Sequence, residues 1–176
     1  MELLTVGHGR LSREDLGQLL HDAGVAAVVD VRRFPGSRTN PDSQREALAQ
    51  WLPDYGMSYR WEERLGGRRH LKRTEDEASP DSWWRVAAFR AYASYTRTSE
   101  FEDALTDVVA QAQREVTAVM CSESVWWRCH RRLIADVAVL SHGLAVRHLM
   151  PGGQLTEHEP AAGARCTSLG QVVWDG

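Results

Sequence analysis

Between Val116 and Asp136 the chain reads VTAVMCSESVWWRCHRRLIAD, and this stretch limits the fold more than any other. Val116 to Met120 is a β-branched, apolar run that predicts a strand buried on both faces. Leu133, Ile134, Val137 and Leu140 then recur at helical spacing up to a stop at Gly143. A doubly buried strand followed at once by an amphipathic helix is a unit of a parallel α/β sheet, because helices must cover both faces of such a strand.

The rest of the chain repeats this alternation. Leu3 to Val6 predicts a first strand, ending at Gly7-His8-Gly9. Ser12 is placed to cap a helix running to His21, with Gly24 beyond it. Val25 to Val31 is a second apolar run, followed by Asp30-Val31-Arg32-Arg33-Phe34-Pro35 and a Gly/Ser/Asn/Pro-rich loop to Asp42. A helix over 43–52, a strand over 57–61, a mobile polar loop to Asp81 and helices over 82–95 and 99–113, the last capped by Thr98 or Ser99 with Glu102 following, are expected next. Leu144 to Leu149 predicts a fifth strand. The fold expected is therefore an α/β three-layer sandwich with a mainly parallel sheet of about five strands. Residues 1–150 are expected to form a single domain, and 151–176 a tail packed on it or extending it, with a short strand over 171–174.

Composition excludes several classes. Three scattered cysteines (Cys121, Cys129, Cys166) form no disulfide framework, and no apolar run reaches the roughly 18 residues of a membrane span. A cytoplasmic protein without a membrane partner is expected, of undefined oligomeric state. A net charge of −3 does not mark a general nucleic-acid binder, although Arg64, Arg68, Arg69, His70, Lys72 and Arg73 cluster.

The chemistry-bearing residues fall at strand ends: His8, Asp30 with Arg32, Glu63, and Cys121 with Glu123. Parallel strands bring their carboxyl ends to one edge, where ligands bind. Arg32, Arg131 and His8 suit an anion, most simply a phosphate, assisted by the helix N-terminus expected near Cys129. Cys121 is a candidate nucleophile, but Arg128 gives Cys-x6-Arg and not the Cys-x5-Arg of a phosphatase loop. Glu123, Asp30 and Glu63 are candidates for acid/base work, and Trp126 and Trp127 for aromatic pocket walls. Asp30 has an equally good structural reading, as the ion-pair partner of a neighbouring arginine. Cys121, Cys129, His130 and His8 are all possible ligands of a soft metal, but Cys-x7-Cys-His lacks a compact knuckle. Neither a metal nor a cofactor is expected.

Several motifs together resemble one family. Thr5-Val6-Gly7-His8, Asp30-Val31-Arg32 with Pro35 and Ser37, Leu65-Gly66-Gly67, Phe89-Arg90-Ala91-Tyr92, and Cys121-Ser122-Glu123 with Cys129-His130-Arg131 are similar to the pattern of the domain-of-unknown-function 488 family (DUF488). Gly9 stands where that pattern usually has Ser, and Ala93 where it usually has Met. The resemblance implies the fold and the site's location more than a reaction. The expected site comprises Glu123, Cys121, Asp30 and His8 as catalytic candidates, with Arg32, Arg131, His130, Cys129, Ser37 and Trp126 binding the ligand. The function expected is that of an enzyme, a hydrolase or transferase, acting on a phosphorylated nucleotide-like molecule or a nucleic-acid base. The alternatives are a non-catalytic nucleotide- or anion-binding module and a metal-binding protein.

Overall fold

The apolar runs become five parallel strands, β1 (Glu2–Gly7), β2 (Ala27–Asp30), β3 (Ser58–Trp61), β4 (Thr117–Cys121) and β5 (Ala145–Leu149). The computed structural model describes residues 2–37 and 39–176; Arg38, in the loop expected before Asp42, lies outside the described residues. The strand order is β3-β2-β4-β1-β5, and a sixth strand, β6 (Leu155–Glu157), adds to β5 in the antiparallel sense. Strand β4 lies between β1 and β2, with Gly7 opposite Cys121 and Asp30 opposite Met120. The carboxyl ends of three strands thus meet at one place.

Helices α1 (Arg13–Asp22), α2 (Arg45–Trp51), α3 (Arg73–Glu77), α4 (Ala87–Tyr95), α5 (Ser99–Ala112) and α6 (Arg131–His142) make the crossovers. Side chains alternate across a strand, so Leu4, Val6, Val28 and Met120 pack with Leu16, Leu20, Leu48 and Trp51 on one face. Leu3, Val29, Val119 and Val146 pack with Phe101, Leu105, Leu133 and Val137 on the other. This is the three-layer α/β architecture expected from the alternation. The caps also follow the sequence: Ser12 Oγ accepts from Asp15 N, Thr98 Oγ1 accepts from Phe101 N, and Gly143 closes α6 at φ 62°. Among the described residues, no helix is long and apolar enough to cross a membrane.

Two segments depart from expectation, each because of a tertiary partner. The helix expected over 82–95 begins only at Ala87. Before it, Trp83 N donates to Trp174 O of the C-terminal segment, and Trp84 N closes a turn on Asp81 O, so neither N–H begins a helix. The polar span before Asp81, expected to be a mobile loop, contains α3, and Asp76 of that helix makes a bidentate pair with Arg90 of α4.

Residues 151–176 supply β6, β7 (Ala164–Cys166) and β8 (Val172–Trp174), the last two forming a small antiparallel pair. Two buried carboxylates anchor them. Asp81 accepts from both Nη atoms of Arg97, at 2.9 and 2.7 Å, and from Trp174 N. Asp136 Oδ2 accepts from Trp174 Nε1 at 2.7 Å, and its Oδ1 from His158 Nε2 at 2.7 Å. Because the carboxylate only accepts, His158 Nε2 carries a hydrogen and its Nδ1 is a lone pair. His148 Nε2, 3.0 Å away, must then donate, which leaves His148 Nδ1 to accept from Thr5 Oγ1 at 2.7 Å. A single directional chain of bonds therefore crosses from β1 through β5 to α6, with every member buried.

Burial pushes His148 down to about 3, helped by the Arg131 charge. The unfolded chain takes up that proton below about pH 6.5 and the folded chain does not. Stability from this residue is therefore complete above about pH 6.5 and is lost as pH falls towards 3. Urea titrations at successive pH values should show stability falling through this window. His148→Gln, which keeps one donor and one acceptor, should flatten the slope by up to about 1.4 kcal/mol per pH unit; an unchanged slope would refute the assignment. Trp174→Ala removes a fully buried indole and leaves Asp136 short of a donor, so it should cost about 3–5 kcal/mol, whereas Trp127→Ala, at a 46% exposed position, should cost under about 0.5 kcal/mol.

Candidate functional site

Beyond the last paired residues the three strand ends separate. His8 N and Gly9 N still reach Cys121 O and Ser122 O, and Val31 N reaches Met120 O, all near 3 Å. Past those bonds the backbones diverge around a crevice of about 320 Å³. Of the residues expected in the site, His8, Arg32, Ser37, Cys121, Glu123, Cys129 and His130 line it. Asp30, Arg131 and Trp126 do not.

Asp30 sits beneath the crevice with no exposed surface. Its Oδ1 accepts from Arg32 N and Nε, and its Oδ2 from Arg32 Nη2 at 2.6 Å and Tyr59 OH at 2.8 Å. These partners occupy the carboxylate completely, which makes Asp30 the holder of Arg32 rather than a group facing a ligand. Burial and the adjoining Asp30 charge drive the Tyr59 hydroxyl well above its ordinary range. Arg32 Nη1 reaches His8 Nε2 at 3.1 Å, so Nε2 accepts and His8 Nδ1 donates to Gly9 O. Burial, with the Arg32 charge beside it, lowers His8 to about 4, and the ring stays neutral near pH 7.

Arg131 is buried behind the crevice. Its Nε donates to Cys129 Sγ at 3.3 Å and its Nη2 to Glu123 O, so it joins the start of α6 to the loop after β4. Trp126, expected as a pocket wall, lies instead flat on His148, ring centroids 3.9 Å apart and planes 7° from parallel. A neutral imidazole face is a good apolar partner for an indole, and that contact holds the ring away from the crevice. The walls are Phe34, Phe89 and Tyr92, of which only Phe89 and Tyr92 belong to a motif legible beforehand.

The floor combines sulfur and imidazole. His130 Nδ1 stands 3.9 Å from Cys121 Sγ and 3.5 Å from Cys129 Sγ, while its Nε2 lies 3.0 Å from Val31 O. Burial opposes a thiolate at Cys129, but the hydrogen bond from Cys121 and the Arg131 charge outweigh it and bring Cys129 down to about 6. The Cys129 sulfur beside it, together with burial, pushes Cys121 up to about 12. The Cys129 N–H, expected to face an anion, closes the short 3-10 turn Trp126–Arg128 by donating to Trp126 O.

Glu123 is half-buried; its Oε1 accepts from Val125 N at 3.1 Å, and the residue lines the crevice. Ser37 Oγ accepts from Asn40 N. Around the mouth stand Arg33, Arg68 and Arg128, and among the described residues none of them pairs with a carboxylate. Phe34, 63% exposed, has the Arg33 and Arg68 guanidinium groups 5.9 and 5.8 Å from its ring centre. Arg68 adopts φ 59°, a left-handed conformation that no residue pattern announced. Gly9 also lies in that region, at φ 51°, where a Cβ would stand 2.1 Å from Ser124 Oγ. The hydroxyl nearest this point is therefore that of Ser124. Glu63 lies in a 3-10 turn (Glu63–Leu65) and is not among the residues lining the crevice.

No curated protein and no solved structure matches the chain. The sequence does match the family described as "Domain of unknown function DUF488", over residues 12–138. That span contains Asp30 and Arg32, the Leu65-Gly66-Gly67 turn, Phe89 and Tyr92, and the whole segment from Cys121 to Arg131, so the floor and most of the wall lie within it. The chain belongs to the DUF488 family.

Proposed function

We propose that the crevice binds a phosphorylated aromatic ligand, a nucleotide either free or within nucleic acid, and that the protein is an enzyme acting on it. One observation carries this reading: at the mouth of a crevice floored by Cys121, Cys129 and His130 stand three arginines with no carboxylate partner among the described residues, two of them, Arg33 and Arg68, beside the exposed Phe34 ring. Guanidinium groups suit phosphate oxygens, and aromatic faces suit a base. The volume falls at the lower end of the roughly 300–1,000 Å³ common to small-molecule sites, which fits one nucleotide unit. Thiols and a carboxylate add little to phosphate binding, so their presence at the floor favours turnover over recognition alone. Three unpaired cysteines suit a reducing compartment, and we assign the activity to the cytoplasm.

Calorimetry with a panel of nucleotides and short single strands tests the recognition. Arg68→Ala and Arg128→Ala should each weaken binding by about 1.5–3 kcal/mol, as for a lost charged hydrogen bond. Phe34→Ala should cost about 1–3 kcal/mol if a base stacks there. Equal affinity in all three variants would refute the assignment of the mouth.

Turnover is a separate question. With a substrate found by such a panel, Glu123→Gln should retain affinity and slow the reaction by about 10²–10⁴-fold. Tight binding with no turnover of any bound nucleotide would make the protein a binding module. Undiminished turnover in the variant would remove Glu123 from the reaction.

A further inference from the structure

We propose that Cys121, Cys129 and His130 form a three-ligand site for a soft divalent cation of the zinc class, with its fourth position open to the crevice. The two Sγ atoms and the ring nitrogen all lie within 4.8 Å of one another. In a tetrahedral zinc site with Zn–S of about 2.3 Å and Zn–N of about 2.0–2.1 Å, a sulfur and a nitrogen ligand stand about 3.6 Å apart. The two S···N separations here are 3.5 and 3.9 Å. Two thiolates on one zinc stand about 3.8 Å apart, and the sulfurs here lie within 4.8 Å of each other, so an ion would enter by drawing them together by up to about 1 Å.

The imidazole is already oriented for this role. Val31 O can only accept, so His130 Nε2 carries the hydrogen and Nδ1 presents its lone pair towards both sulfurs. A backbone carbonyl holding the far nitrogen of a ligating histidine is the usual outer support of such a site. The ring is held from two further sides. Tyr92 packs edge-on, centroids 5.1 Å apart, and Gly67 approaches so closely that a Cβ there would lie 2.9 Å from Nδ1. Arg131 donates to Cys129 Sγ from behind, which supports a bound thiolate without occupying the cavity side.

Adjacent residues rarely ligate one ion, and here the backbone removes that obstacle. Cys129 is extended (φ −120°, ψ 150°) and His130 turns into α6 (φ −58°, ψ −18°). The change of conformation between them brings both side chains to one point. Two thiolates, a neutral imidazole and a divalent cation sum to zero charge, which suits a cluster whose sulfurs are nearly enclosed. All three ligands line the crevice, so the remaining coordination position faces whatever occupies it, the arrangement of a reactive rather than a purely structural zinc site. This site is independent of which ligand the arginines at the mouth recognise.

Metal-free protein, reduced and titrated with cobalt(II), should bind one equivalent and develop both sulfur-to-cobalt charge transfer and the intense visible bands of tetrahedral coordination. Zinc should displace the cobalt, and should protect two of the three cysteines from a thiol reagent while Cys166 still reacts. Cys121→Ser, Cys129→Ser and His130→Gln should each weaken zinc at least tenfold in chelator competition, with Cys166→Ser and Arg68→Ala unchanged. Should a ligand variant fail to fold, the wild-type cobalt spectrum and thiol protection still decide the question. Absence of sulfur-to-cobalt absorption, no protection by zinc, or full zinc affinity in Cys121→Ser or Cys129→Ser would overturn the proposal.

Discussion

A carboxylate with no solvent contact is costly unless its oxygens are fully engaged by donors. Asp30 meets that requirement through Arg32 and Tyr59, and much of the crevice follows from it. With its Nε and Nη2 committed, Arg32 has Nη1 left to face His8, which sets the histidine's tautomer, while burial and then the Arg32 charge keep the ring neutral. The same bonds hold the chain just after β2, where Val31 O supports His130 and Arg32 O accepts from Trp61 Nε1. Removing one partner of such a buried pair costs about 3–5 kcal/mol, because the other is left charged and dry. The pair works as a keystone for the strand ends.

A second buried carboxylate performs the equivalent task on the far side of the sheet. Asp136 receives the Trp174 indole, the His158 ring and the Ala161 amide, and so joins α6 to the C-terminal segment. Asp81 and Arg97 repeat the device at β8. These bonds explain why residues with little hydrophobic patterning still take a defined path. Their stabilisation comes from saturated polar groups in a low-dielectric setting, in which each bond is stronger than in water and each omission is costly.

The crevice divides its chemistry by depth. At the mouth, arginines with no carboxylate partner among the described residues and an exposed phenylalanine keep their charge and aromatic face available. At the floor, cysteines and histidine are enclosed by the ends of β4 and α6, with Arg131 tying Cys129 to the Glu123 backbone. A floor of this kind has little freedom to move, as a reacting or ligating group requires.

By itself the sequence determined the alternation of strands and helices, the caps at Ser12 and Thr98, and the meeting of His8, Arg32, Cys121, Glu123 and His130 at one edge. Those features follow from local periodicity and from the rule that parallel strands share a carboxyl edge. Only the tertiary structure decided which polar groups face the crevice and which support it. Asp30 and Arg131 turn inward because their partners lie within hydrogen-bonding reach there, and Trp126 turns away because His148, distant in sequence, offers it a flat face. Phe34 and Arg68 entered the site through a loop path and a left-handed backbone angle, neither of which leaves a periodic trace. The buried Trp174 depended likewise on partners more than thirty residues away at Asp136 and Asp81, and the sixth strand on an antiparallel pairing with β5. A chain's pattern encodes what each segment must bury; which distant partner satisfies a polar group is settled only when the segments meet.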